Sequence, residues 1–178
     1  MGAPNFWDTA ASEPKRQHRF MVYMGNVNGY EPYIAKSVTK PSFELSETEH
    51  KYLGNTYYFP GVVTWNEITL TIVNTLSPDA QASLLEALSL SGYVYPNASE
   101  SDLATPNKEA ATVDGLGTVM IEELDGNGEK VGTWTLNNGF IKSATFGDLD
   151  YSGDELLNVE IGIRYDWATY ESADGTFG

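Results

Sequence analysis

The stretch Leu157-Asn-Val-Glu-Ile-Gly-Ile-Arg-Tyr-Asp-Trp167 decides the fold class. Leu157, Val159, Ile161, Ile163, Tyr165 and Trp167 alternate with Asn158, Glu160, Gly162, Arg164 and Asp166, so an apolar side chain recurs at every second position. Successive side chains of a strand point to opposite faces, whereas a helix would repeat near every 3.6 residues. The pattern predicts one long strand with a covered face.

Working outward, the same period returns. In Trp65 to Val73, Ile68, Leu70 and Ile72 share one side, while Glu67, Thr69 and Thr71 share the other. Gly117 to Glu123 and Lys130 to Leu136 flank Asp125-Gly126-Asn127-Gly128, residues that tolerate the positive φ of a tight hairpin turn. Phe140 to Phe146 reads as a further strand. Towards the N-terminus, His18, Phe20, Val22 and Met24 alternate with Arg19, Met21 and Tyr23 within Gln17 to Val27, and Tyr33 to Val38 follows a turn at Asn26, Asn28 and Gly29. Phe43 to Tyr52 and Tyr57-Tyr58-Phe59 read as a long protruding hairpin over 43–60, with a polar, mobile tip.

One helix interrupts the strands. Ser77 supplies a cap, Pro78 a first helical position and Asp79 an acid for the first turn, while Ala80, Leu84, Leu85 and Leu88 form a stripe and Gly92 ends it. The expectation is a mainly β protein, an antiparallel β-sandwich or barrel of about seven strands with one α-helix (77–92) packed on the outside, its Glu86 side outward. Residues 1–14 read as an arm, 15–170 as one domain, 96–111 as a long loop and 171–178 as a tail.

The chain has 178 residues, 25 Asp plus Glu against 10 Lys plus Arg, a net charge of -15 and no Cys. Thiol chemistry and disulfides are thereby excluded. With 41% hydrophobic and 12% aromatic residues it is too rich in core formers for disorder. Residues 1 to 89 hold six cations and nine acids, residues 90 to 178 four and sixteen, so -12 of the charge lies in the second half. Adhesion to nucleic acid or an anionic membrane is disfavoured, since like charges repel within a Debye length of roughly 8 Å. The start Met1 to Asp8 lacks the basic and apolar regions of a signal peptide, and no apolar run approaches the roughly 20 residues of a membrane span. A soluble, unexported protein without membrane contact is expected.

Catalytic material is sparse. His18 and His50 have no triad spacing, and Glu122-Glu123, adjacent on a strand, point to opposite faces. Asp148-x-Asp150-x-Ser152-Gly153 copies half a calcium loop, but Val159 stands where the bidentate Glu belongs. No phosphate-binding glycine loop occurs. The sequence predicts no enzyme, no cofactor and no metal.

Tyr52-Leu-Gly-Asn-Thr-Tyr-Tyr-Phe-Pro-Gly61 followed by Thr64-Trp-Asn-Glu-Ile-Thr-Leu-Thr-Ile-Val-Asn74 resembles the tail tube proteins of contractile-tailed bacteriophages. Arg19-Phe20, Lys36-Ser-Val-Thr-Lys-Pro41, the helix after Asn74 and the final Tyr165-Asp-Trp167 extend the resemblance from about Arg19 to Tyr170. It implies a structural virion protein: hexameric rings stacked into a hollow tube inside a contractile sheath, with DNA and a tape measure protein in the lumen and baseplate and tail-terminator proteins at the ends. Such a protein is assembled in the host cytoplasm and resides in the virion tail. Type VI secretion and extracellular contractile injection systems use related tubes. The resemblance assigns the contact with the next ring to Ser46, Glu47, Thr48, Glu49, His50, Lys51, Tyr52, Leu53 and Asn55. Glu122 or Glu123, Glu160 and Asp166 are the acids expected to line the lumen. One alternative is the inner-tube protein of a type VI or extracellular contractile injection system; another is a carbohydrate-binding β-sandwich in which Tyr30, Tyr33, Tyr57, Tyr58 or Trp134 stack on sugars.

Overall fold

In the computed structural model, which describes residues 14–27, 30–96, 105–172 and 175–177, the alternation of the sequence becomes burial of every second side chain. β1 (Phe20–Met24), β6 (Val119–Leu124), β7 (Lys130–Asn137), β10 (Trp167–Ser172) and β11 (Gly175–Phe177) form a five-stranded sheet in that order. β2 (Ala35–Val38), β5 (Ile68–Val73), β9 (Asn158–Arg164) and β8 (Phe140–Thr145) form a second, four-stranded one. Every pairing is antiparallel. Val22, Val119, Ile121, Leu136 and Ala168 of the first sheet meet Ile68, Leu70, Ile72, Val159, Ile161 and Ile163 of the second in one apolar core. Each of the large side chains contributes about 1.5–3 kcal/mol through burial, so the sandwich is held by the alternation itself.

The deciding stretch is two strands. β9 ends at Arg164, Tyr165 and Asp166 turn a corner, and β10 begins at Trp167 in the other sheet. The buried positions run Val159, Ile161, Ile163, Tyr165 and then Ala168, while Trp167 is half exposed, so the parity shifts by one at the corner. The Asp166 N–H donates to the Asn137 carbonyl at 3.1 Å and fixes the bend. The segment read as a tail contributes β11, paired with β10. Tyr33 lies in a short 3-10 turn, Pro32–Ile34, ahead of β2.

α1 spans Ala80–Leu90 and is capped by Asp79, whose side chain accepts from the Gln81 N–H at 2.9 Å; Ser77 is not the cap. Its buried face is Ala80, Leu84 and Ala87, with Leu84 inside the core, and Leu85 and Leu88 of the expected stripe are partly exposed. Residues 97–104 of the expected loop, and 1–13 of the expected arm, lie outside the described residues. The end of the loop is helical: after Thr105 to Asn107, α2 (Lys108–Ala110), capped by Asn107, runs into a wider turn over Ala111–Leu116 packed on α1. A Cβ at Gly115 would stand 3.1 Å from the Ala87 carbonyl oxygen, so glycine lets this turn approach α1 without displacing it.

Candidate functional site

Among the described residues, β3 (Phe43–Tyr52) and β4 (Asn55–Trp65) form a ribbon that pairs only with itself. The expected polar tip is mostly strand: Glu47 to Tyr52 and Asn55 are in register, Ser46 lies at an irregularity, and only Leu53 and Gly54, with φ of 48° and 81°, make the turn. At the base, Trp65 meets Phe43 at 5.5 Å edge-on and Tyr165 of the sandwich at 6.0 Å, while the Asn66 N–H donates to the Ser42 carbonyl at 2.9 Å. Midway, Leu45 faces Val63 and Glu47 faces Pro60, so Gly61 and Val62 together oppose Ser46 in a β-bulge. The Val62 N–H donates to Ser46 Oγ at 2.8 Å, which occupies the spare donor.

The bulge decides which side chains share a face. Phe43, Leu45, Val63 and Trp65 gather on one face near the base, with Tyr58 and Pro60 beyond them; Tyr57, Phe59 and Tyr52 lie on the other. Nine large apolar or aromatic side chains of this ribbon are exposed, Val62 at 75% among them. A lone two-stranded ribbon is marginal in water, and a contiguous apolar surface marks a contact site. Its chemistry is that of a surface awaiting a partner.

The expected lumen acids do not lie together. Glu160 points outward from the second sheet, in a row Ser37–Thr71–Glu160–Thr145 that crosses all four strands. Glu122 points outward from the first sheet, in a row Met21–Glu122–Thr133–Glu171, with Lys130 at 3.9 Å. These are opposite faces of the sandwich. Glu123 is corrected: it is on the core side, 6% exposed, and takes hydrogen bonds from Lys15 and Lys40. Burial pushes its carboxyl up, but those two ammonium groups outweigh it and hold it below the usual carboxylate range. Asp166 stands exposed at the corner, where it accepts from Lys108 Nζ at 2.6 Å and Asn138 Nδ2 at 2.9 Å, and the first of these chiefly lowers its pKa. Glu123 thus presents no free charge to a wall, whereas Asp166 is exposed and ion-paired.

The remaining motifs are local. Asp150 accepts from the Ser152 N–H at 2.9 Å and its hydroxyl at 2.8 Å, which accounts for the calcium-like spacing as a turn. Among the described residues no cluster of three or more His, Asp or Glu could hold a metal, and no helix is long and apolar enough to cross a membrane. The sugar-stacking aromatics share no platform. Tyr30 is partly buried against the core and its burial raises the phenol pKa, Trp134 packs on Tyr170 at 4.8 Å, and Tyr57 and Tyr58 lie on opposite ribbon faces. Sequence reasoning missed Lys15 and Lys40, whose only sequence signal is clustering: with Arg16, Arg19 and Lys36 they line a groove of about 820 Å³ beside β1 and β2.

A two-sheet antiparallel sandwich carrying a helix and an outstanding ribbon is the tail-tube fold. A chain in the cryo-EM structure of the anti-feeding prophage tube-terminating cap superimposes with a TM-score of 0.65 at 21% identity, over 93% of this chain and 96% of that one. A chain in the sheath–tube complex of an extracellular contractile injection system, in the extended state, gives 0.62 at 18%, over 96% and 100%. One in the anti-feeding prophage baseplate gives 0.64 at 18%, over 89% and 95%. No family model matches the chain, and neither does any curated protein by sequence.

Proposed function

We propose that this chain is a structural subunit of the inner tube of a contractile tail-like apparatus. Six copies close into a ring, and rings stack inside a sheath, with terminator and baseplate proteins at the ends. The observation that carries this reading is the ribbon: eight exposed apolar or aromatic side chains on two strands, with Leu53 at their turn, that pair with no third strand among the described residues are accounted for when a neighbouring copy covers them. Residues Ser46 to Asn55 are then the contact to the next ring. In the phage form of the reading, the tube sits in a virion tail, encloses a tape measure protein and conducts DNA past an acidic wall. The injection-system form is favoured by the near full-length fold likeness to chains of such assemblies. In either form the subunit scaffolds and does not catalyse.

Negative-stain microscopy of the purified full chain at rising concentration tests the proposal. Hollow rings or tubes of uniform width are expected. Monodisperse monomers throughout would overturn it.

A further inference from the structure

Half of the chain's ten cations line one groove. Lys15, Arg16, Arg19, Lys36 and Lys40 surround it, and Glu123 is the one carboxylate lining it among the described residues. Two of these lysines bind Glu123, whereas Arg16 and Lys36 are exposed, and the Lys36 ammonium has a neutral neighbour, Asn158 Oδ1, at 3.4 Å. In a protein of net charge -15 this concentration of positive charge is the opposite of the general surface. The groove also offers apolar surface from Phe20, Pro32 and Tyr33.

A segment of matching character stands elsewhere on the molecule. Residues 147–156, between β8 and β9, are all exposed, carry Asp148, Asp150, Asp154 and Glu155 without a cation, and project Leu149 (88% exposed), Tyr151 and Leu156. None of them lines the groove of its own chain. The groove lies at the β1 and β2 edges of the two sheets; the segment leaves β8, the edge of the second sheet opposite β2, and rejoins that sheet in β9 at Asn158, the residue next to the Lys36 ammonium. Complementary patches on opposite edges are what a head-to-tail contact between copies requires, since such contacts close rings.

We infer that the acidic segment 147–156 of one copy docks into the basic groove of the next copy in the ring. This rests on the tube reading and deepens it by assigning the lateral contact. Charge complementarity fixes the register and speeds association, while Leu149, Tyr151 and Leu156 exchange water for the apolar floor. Contact within a ring is then weakened by salt, as expected for paired charges at a partly wet rim.

The test is a charge swap in the full chain. R16E/K36E and D154K/E155K change exposed residues that touch neither the core nor Glu123, and each is expected to raise the protein concentration needed for rings by on the order of tenfold or more. Combining the four substitutions should restore rings towards the wild-type concentration. Carbodiimide treatment of rings mixed from isotopically light and heavy wild-type copies should link Lys36 to Asp154 or Glu155 between copies. Reversals that assemble like wild type, or a combined variant that folds by circular dichroism yet gains nothing over the single sets, would overturn the docking and leave the tube reading standing. A wild-type chain that forms no rings would overturn both.

Discussion

Lys40, just beyond β2, donates a hydrogen bond to the buried carboxylate of Glu123 on β6, so one ion pair ties an edge of the second sheet to the first. Lys15 takes the other carboxylate oxygen and lies over the Tyr170 ring at 5.4 Å. The double substitution K15A/K40A leaves a buried charge unpaired. A loss of about 2 kcal/mol is expected, less than the 3–5 for a fully buried pair because both lysine heads are half in water. Urea denaturation of the monomer measures it.

The same pair sets an acid limb. Because the Glu123 pKa is lowered in the fold from its ordinary 4.5, the stability it contributes is present above pH 4.5 and is lost as pH falls through the lower folded value. E123Q should flatten the melting temperature against pH below 4.5. Equal acid sensitivity in E123Q and wild type would show that other carboxylates set the limb.

Gly61 is the constrained residue of the ribbon. A Cβ there would collide with the Ser46 side chain and stand 3.1 Å from its carbonyl oxygen, so G61V must open the bulge. That shifts Val63 and Trp65 against Tyr58 and Pro60 and mixes the two faces. Among the described residues the ribbon pairs only with itself, so the stability to thermal unfolding should change by less than about 0.5 kcal/mol, while ring or tube formation is lost in microscopy. Normal tubes from G61V would remove the bulge from the assembly surface.

The strands were legible because burial of alternate positions dictates composition: Ile68, Leu70 and Ile72, or Val119 and Ile121, cannot be polar and still pack. The corner after Tyr165 was not, since a one-residue parity shift leaves no mark when Trp167 and Ala168 are both apolar. α2 was hidden because Asn107 reads as loop chemistry until its side chain is seen to cap. Among site residues, the adjacency of Glu122 and Glu123 correctly implied opposite faces, but only Lys15 and Lys40, far away in sequence, reveal which of the two is neutralised. The ribbon was legible as a hairpin, yet its exposed aromatics look the same in sequence as core residues.

Glu122 and Glu160 leave opposite faces of the sandwich, so one subunit cannot offer both to a single lumen. The outward face around Glu160 carries Ser37, Thr69, Thr71, Ser143, Thr145 and Gly162, with Val73 and Asn158 at one end, mostly short side chains with little to grip a passing chain. The face around Glu122 carries Met21 and Met120, with half-exposed Trp167 at its β10 end, which suit packing against another protein. We therefore expect Glu160 to line the lumen and Glu122 to face outward. The chain has no cysteine, so E160C and E122C each introduce a unique thiol. In assembled tubes a small maleimide should label E160C while a maleimide carried on a large particle does not, and E122C should react with the large probe wherever no sheath covers it. The reverse pattern would place the first sheet at the lumen and leave Glu122 and Glu171 as the acids that repel a polyanion.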